Sequence, residues 1–214
     1  IAECVEDAKS AIRWVRAQAA NLGVDPHRVV ASGGSAGGHL AAATAMLKGF
    51  EAPGEDTSVS SSPNALILFN PAVILAPIEG EAVPPGAVAR LVERAGAPLI
   101  QLSPYHNIRP GLPPTIIFHG KDDKTVPYRT VQLFCEKMRE AGNRCQLEGY
   151  ESAGHGFFNY GRGDGKAFYD TVRKADEFLI SLGYLRGQPT IDSFAFAEQE
   201  SLPGNGSRQG SSKW

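Results

Sequence analysis

The hexapeptide Gly33-Gly34-Ser35-Ala36-Gly37-Gly38 constrains this chain more than any other stretch. It follows a short run of small apolar residues, Arg28–Ser32, with Val29, Val30 and Ala31 in succession. An alanine-rich run to about Lys48 comes after it. The first run suits a central parallel strand covered on both faces, and the second suits a helix packed close to a sheet. Residues without a Cβ, placed between the two, let strand and helix approach without collision.

The same alternation continues along the chain. Ala65–Phe69 reads as a strand closed by Asn70-Pro71, Thr115–Phe118 as a third that ends at His119-Gly120, and Cys145–Glu151 as a fourth. An opening helix is expected over Glu3–Ala20, where Val5, Ala8, Ile12, Val15 and Ala19 step by three and four and Gly23 is the stop. Another covers Val126–Ala141, with Val131, Phe134, Cys135 and Met138 inward and Gly142 as its stop. A last helix, capped by Asp164, carries Phe168, Val172, Ala175, Leu179 and Leu182 on one face. Strands alternating with helices specify an α/β fold with a mainly parallel sheet and flanking helices. In such sheets the chemistry collects at the carboxyl ends of the strands.

Between Pro71 and Pro114 the chain is rich in Pro, Gly and Ala, with a helical possibility only around Val88–Arg94. A connection of that length is more often functional than idle. From about Gly187 the periodicity ends. The reading is therefore a folded domain over 1–186 and a flexible tail over 187–214.

Composition removes several classes of function. The 21 Lys and Arg nearly balance 23 Asp and Glu, so no electrostatic footprint for nucleic acid or anionic membrane is present. The longest apolar run, Ala72–Ile78, is broken by Pro77 and falls far short of a membrane span. No His, Asp or Glu cluster has metal-ligand spacing, so no metal is expected, and the serine, acid and histidine set out below would need no cofactor. Three scattered Cys argue against a disulfide framework. Cys135, mid-helix, and Cys145, at a strand start, are read as unbridged core thiols.

Three loops at expected strand ends carry the candidate chemistry. Gly33–Gly37 is a G-x-S-x-G between a strand and a helix. There a serine sits in a strained turn at a helix N-terminus, the dipole favours developing negative charge, and the Ala36 N–H faces an oxyanion. A phosphate cradle fits less well, since neither G-K-[ST] nor a clean G-x-G-x-x-G is present. A nucleophilic serine needs a base, and the base an orienting carboxylate. The loop His119–Pro127 supplies Asp122 and Asp123, and Ser152–Phe157 supplies His155. The order is serine, acid, histidine.

Together Gly33–Ala41 (Gly-Gly-Ser-Ala-Gly-Gly-His-Leu-Ala), His119–Pro127 (His-Gly-x-x-Asp-x-x-Val-Pro) and Gly154–Phe157 (Gly-His-Gly-Phe) resemble the α/β-hydrolase superfamily. More narrowly, they resemble its acetyl-esterase and hormone-sensitive-lipase-like branch. The resemblance runs from about Cys4 to Tyr184. It implies an ester hydrolase acting on a small-molecule ester, with Ser35 as nucleophile, Asp123 as triad acid, His155 as base and Ala36 as one oxyanion donor. The spacing of the acid from the His-Gly pair in that family selects Asp123 over Asp122. His119 and His39 are assigned to structure, and Tyr105 and His106 to a substrate pocket under the Pro71–Pro114 stretch, with plain surface loop as the alternative. A prolyl-oligopeptidase-type peptidase domain and a non-catalytic hydrolase-like binding domain are the competing readings.

The resemblance also implies something missing. That family takes a second oxyanion donor from a Gly-rich loop, often His-Gly-Gly-Gly, after an earlier strand, and no such motif occurs here. The expectation is a partial hydrolase fold whose N-terminal strands are absent. Losing one oxyanion donor typically costs about 10²–10³ in rate, so these residues alone are expected to hydrolyse esters poorly or not at all.

Overall fold

The computed structural model describes residues 1–81, 91–191 and 193. Four parallel strands form one sheet, β1 Val30–Gly34, β2 Ala65–Phe69, β3 Thr115–Gly120 and β4 Cys145–Tyr150, and spatial order follows chain order. Register sets Gly34 beside Phe69, Phe69 beside Phe118, and Gly120 beside Tyr150. All four carboxyl ends thus lie on one side. The central strands β2 and β3 are buried almost throughout, as their unbroken apolar sequences require. β1 starts two residues later than the sequence suggested and runs on through Gly33 and Gly34, which still pair with Leu68 and Phe69.

The helices are α1 Ala2–Ala17, α2 Ala19–Leu22, α3 Ala36–Met46, α4 Leu99–Leu102, α5 Tyr128–Glu140 and α6 Lys166–Ser181, with a 3₁₀ turn at Pro104–Asn107. Alternation along each strand divides the core between the two faces. Leu66 and Leu68 of β2 pack with Ala42 and Met46 of α3 and Phe134 and Met138 of α5. Ala65 and Ile67 point the other way, with Ile116, Phe118 and Phe178 of α6. Alanine at successive turns of α3 brings that helix close to the strands, as the sequence indicated.

Several local expectations are corrected. The opening helix breaks at Gln18, although Gly23 does end it in the left-handed region at φ 68°. Its buried face includes Lys9 and Arg13, which the apolar periodicity passed over. Lys9 Nζ reaches Glu51 Oε1 at 2.6 Å and Leu47 O at 3.1 Å, and Arg13 Nη1 reaches Glu55 Oε2 at 2.6 Å. Paired charge on an apolar stem is tolerated where an unpaired charge is not. Asp164 is not the N-cap of α6. Gly165 holds that position at φ 77°, while Asp164 Oδ1 accepts the Lys166 N–H from one residue further out.

Cys135 and Cys145 form a disulfide, contrary to their reading as separate thiols. Gly142, at φ 78°, donates its N–H to Arg139 O and reverses the chain at once after α5. The return places the first residue of β4 beside a residue two turns back on the inward face of α5, with Cα atoms 5.4 Å apart. Cys4 is free and exposed.

The helical expectation over Val88–Arg90 and the tail expectation over 192 and 194–214 lie outside the described residues. Among the described residues no helix is long and apolar enough to cross a membrane. No group of three potential ligands gathers among them to hold a metal ion either.

Candidate active site

Ser35 occupies the single residue between β1 and α3, in an unusual backbone conformation of φ 54° and ψ −116°. Its neighbours explain how the turn is held. Ser35 N donates to Phe69 O at 2.8 Å, and Ser35 O accepts from His39 N at 3.0 Å and Ala72 N at 3.3 Å. A Cβ on Gly33 would lie 2.4 Å from the Gly37 carbonyl carbon, and one on Gly38 would lie 2.8 Å from Pro71 Cβ. Glycine at both positions is therefore a steric requirement of the turn. Strain of this kind persists only when the surroundings over-determine it, which the three backbone bonds do. Ser35 is half-buried and Ala36 exposed, and Ala36 N–H, first in α3, has no intrahelical acceptor.

Asp123 follows β3 and is 4% exposed, whereas its neighbour Asp122 is exposed. Oδ1 accepts the backbone N–H groups of Thr125 and Val126 at 2.8 and 2.9 Å. Oδ2 accepts His155 Nδ1 at 2.7 Å and Asn70 Nδ2 at 2.9 Å. Burial by itself would raise the Asp123 carboxyl. The N–H of Val126, the His155 ring and the N–H of Thr125 outweigh it and hold the group below its ordinary value. An ionised, fully bonded carboxylate thus sits beneath the imidazole.

His155 lies on the loop after β4, its side chain partly open to solvent. Two sets of contacts fix that loop. Lys121 N donates to Tyr150 O and Asp122 N to Ala153 O, tying it to the β3 loop, and a Cβ on Gly120 would lie 2.2 Å from Ala153 O. Beyond His155, Phe158 packs on Phe69 with ring centroids 4.7 Å apart. Its ring also sits where a Cβ on Gly34 would stand, 2.8 Å away. The histidine loop is thereby folded back onto the turn that carries Ser35. Among the described residues no hydrogen bond joins Ser35 Oγ to His155.

His119 is wholly buried and donates Nε2–H to Val126 O at 2.8 Å, with Asp123 Oδ2 3.4 Å away. Burial pushes its pKa down, against the pull of the Val126 carbonyl and Asp123, and the ring stays neutral. His39 donates to Leu102 O at 2.7 Å. Both positions agree with the structural roles expected of them. Among the described residues no hydrogen bond or ring contact joins Tyr105 or His106 to Ser35, Asp123 or His155. Tyr105 bonds Val73 O and lies under Lys137, and His106 bonds Ser103 Oγ and Pro77 O.

Sequence reading missed Asn70, the fully buried amide at the end of β2. The available signal was a polar residue directly after a buried strand, at the end of the sheet where the other site residues gather. It also missed a groove of about 1040 Å³ beside His155, lined by Tyr150, Phe157, Arg162, Tyr169 and Arg173 among others.

A strained serine at a helix N-terminus, with a histidine hydrogen-bonded to a buried carboxylate on a loop that packs against the serine's turn, supplies the residue types that acyl transfer uses. Comparisons with known proteins agree with that chemistry. The chain resembles esterase 2 of Thermogutta terrifontis in its apo form, at 57% identity and a TM-score of 0.81, over 87% of this chain and 68% of that one. Structures of that esterase have been solved phosphonylated by sarin and with butyrate bound, the latter 56% identical with a TM-score of 0.82, over 88% of this chain and 69% of that one. A probable isoprenylcysteine alpha-carbonyl methylesterase of Arabidopsis thaliana is 30% identical, over 72% of this chain and 36% of that protein. An acetylxylan esterase of Xylanibacter ruminicola is 31% identical, over 72% of this chain and 31% of that protein. The chain thus spans about a third of the length of these two curated relatives. Residues 100–184 match the dienelactone hydrolase family and residues 1–138 the BD-FAE family model. The chain belongs to the BD-FAE family, among the esterase-like α/β-hydrolases.

Proposed function

We propose that this chain carries the nucleophile, base and acid of a serine carboxylic ester hydrolase that acts on small acyl esters. The observation that carries the reading is the 2.7 Å bond from His155 Nδ1 to the buried Asp123 carboxylate, on a loop packed against the Ser35 turn. With Nδ1–H committed to Asp123, Nε2 is the free acceptor, the tautomer a general base requires.

His155 takes the Ser35 hydroxyl proton as Oγ attacks the ester carbonyl. Ala36 N–H, aligned with the positive end of α3, stabilises the tetrahedral oxyanion. His155 then gives its proton to the leaving alcohol. Water, activated by the same imidazole, attacks the acyl-enzyme and releases the acid and free Ser35. Asp123 stays ionised throughout and stabilises the imidazolium. Solved structures of the Thermogutta esterase with propionate and with butyrate support a short acyl chain. The acetylxylan esterase among the relatives is compatible with acetyl groups on sugars.

A fluorophosphonate probe tests the assignment. Stoichiometric labelling that disappears in Ser35→Ala and falls sharply in His155→Ala supports it. Absence of labelling, together with no hydrolysis across a p-nitrophenyl acetate, butyrate and octanoate series, would replace it with a non-catalytic binding domain.

A further inference from the structure

We infer that Asn70 is a positioning residue for this reaction, an inference that rests on the esterase reading above: its amide locks Asp123 Oδ2 and the His155 loop into one geometry. Asn70 stands where three loops meet. Its backbone N donates to Phe118 O at 2.9 Å, fixing it to the end of β3. Phe69, directly before it, and Ala72, two residues after it, both make backbone bonds to Ser35. Its side chain donates Nδ2–H to Asp123 Oδ2 at 2.9 Å and accepts the Gly156 N–H on Oδ1 at 3.2 Å.

The amide orientation follows from its partners. Asp123 is ionised and can only accept; the Gly156 N–H can only donate. One orientation satisfies both, and the flipped one would set an amide oxygen against a carboxylate and an amide N–H against a backbone N–H. Asn70 is wholly buried, so no solvent competes for these bonds. Its backbone lies in the left-handed region at φ 41°, where Asn is tolerated far better than a branched residue.

The consequence concerns Oδ2. That atom has two hydrogen-bond donors, the His155 ring and Asn70, at 2.7 and 2.9 Å, while the buried His119 Nε2, bonded to Val126 O, lies 3.4 Å from it. The neutral Asn70 donor occupies one side of Oδ2 and leaves the other to the imidazole, without placing a second charge beside it. Its other end grips the residue directly after His155, so the carboxylate and the histidine backbone cannot drift apart. Asn70 touches no reacting atom and acts through Asp123 and His155.

Two substitutions separate positioning from plain structure. Asn70→Ala removes both bonds, and Asn70→Asp keeps the acceptor for Gly156 while replacing the Nδ2 donor by a titratable oxygen. Each is followed in the intact protein by kcat and KM for p-nitrophenyl butyrate across pH, by melting temperature, and by NMR titration of His155, identified among the five His by its loss in His155→Gln.

In Asn70→Ala, kcat is expected to fall about 10- to 100-fold, the range for losing a hydrogen bond to a charged group, with KM little changed. In Asn70→Asp the new carboxyl, when protonated, can still donate to Oδ2. On ionising it sets a second negative charge beside Asp123, so the His155 titration moves to higher pH and the pH–rate profile changes shape. Wild-type kcat in both variants with an unmoved His155 titration overturns the inference, even if the melting temperature drops. If Asn70→Ala fails to fold, the titration in Asn70→Asp decides alone. If the wild-type protein neither hydrolyses esters nor takes the probe, the esterase reading fails. The Asn70→Asp titration still decides whether Asn70 sets the Asp123–His155 pair.

Discussion

Asp123 Oδ2 accepts a hydrogen bond from His155 Nδ1 at 2.7 Å, and that carboxylate is shut off from solvent. Its neighbour Asp122 is exposed and donates its backbone N–H to Ala153 O of the β4 loop. The two adjacent acids are thus unequal. Asp123→Asn should leave the fold largely intact but favour the wrong imidazole tautomer, lowering kcat by about 10⁴. Asp122→Asn should keep kcat within about twofold of wild type, since an exposed acid off the reaction path adds little. Steady-state kinetics on both variants check the contrast.

The glycines of the Ser35 turn should not be equivalent. A methyl group at Gly33 meets the Gly37 backbone at 2.4 Å and one at Gly38 meets Pro71, whereas one at Gly37 meets nothing within 4 Å. Gly33→Ala should destabilise by about 2–3 kcal/mol or more and abolish probe labelling, because backbone cannot yield as a side chain can. Gly37→Ala, in the first turn of α3, should be neutral or gain up to about 1 kcal/mol. Urea unfolding curves measure both.

Removing the Cys135–Cys145 cross-link should cost stability without changing the chemistry. The bridge closes a loop across a sequence separation of 10, and loops of that size are worth about 2–3 kcal/mol in the chain-entropy account. The double variant Cys135→Ala/Cys145→Ala should lower the urea midpoint, while dithiothreitol should no longer affect it. Retention of the wild-type midpoint would contradict a formed disulfide.

Acid should destabilise the fold below about pH 6.5 through its buried histidines. Burial pushes the pKa of His39 and of His119 down. Below the unfolded-state value the unfolded chain binds protons that the native chain refuses, so stability is present above about pH 6.5 and lost as pH falls toward the native pKa. Each such group contributes up to about 1.4 kcal/mol per pH unit in that window. Melting temperatures from pH 8 to pH 5 should decline, and His39→Gln should flatten the decline. Asp123, held below its ordinary value, adds a further loss only in the carboxylate range, below about pH 4.

Much of this arrangement was legible in the residues themselves. An unbroken apolar pentapeptide such as Ala65–Phe69 has one sensible fate, a strand covered on both faces, and it forms with the bounds its sequence suggested. Gly33, a flank of the G-x-S-x-G, could be read as a steric necessity, although the other flank, Gly37, has open space and Gly38 carries the second constraint instead; Ser35, Asp123 and His155 fell in order on loops that any parallel sheet sends to one end. These are local properties, fixed by backbone sterics and by side-chain period over a few residues.

Tertiary structure decided what depends on partners distant in sequence. Lys9 and Arg13 are buried because Glu51 and Glu55 come to meet them, and no periodicity within α1 encodes that meeting. Cys135 meets Cys145 because the chain reverses tightly at Gly142 and lays the start of β4 against α5. Asn70 looked like punctuation after a strand, yet it lies 53 residues from one side-chain partner and 86 from the other. A hydrogen bond is worth forming only where both groups are already held and water is excluded. The packed sheet supplies that condition, and no single segment can.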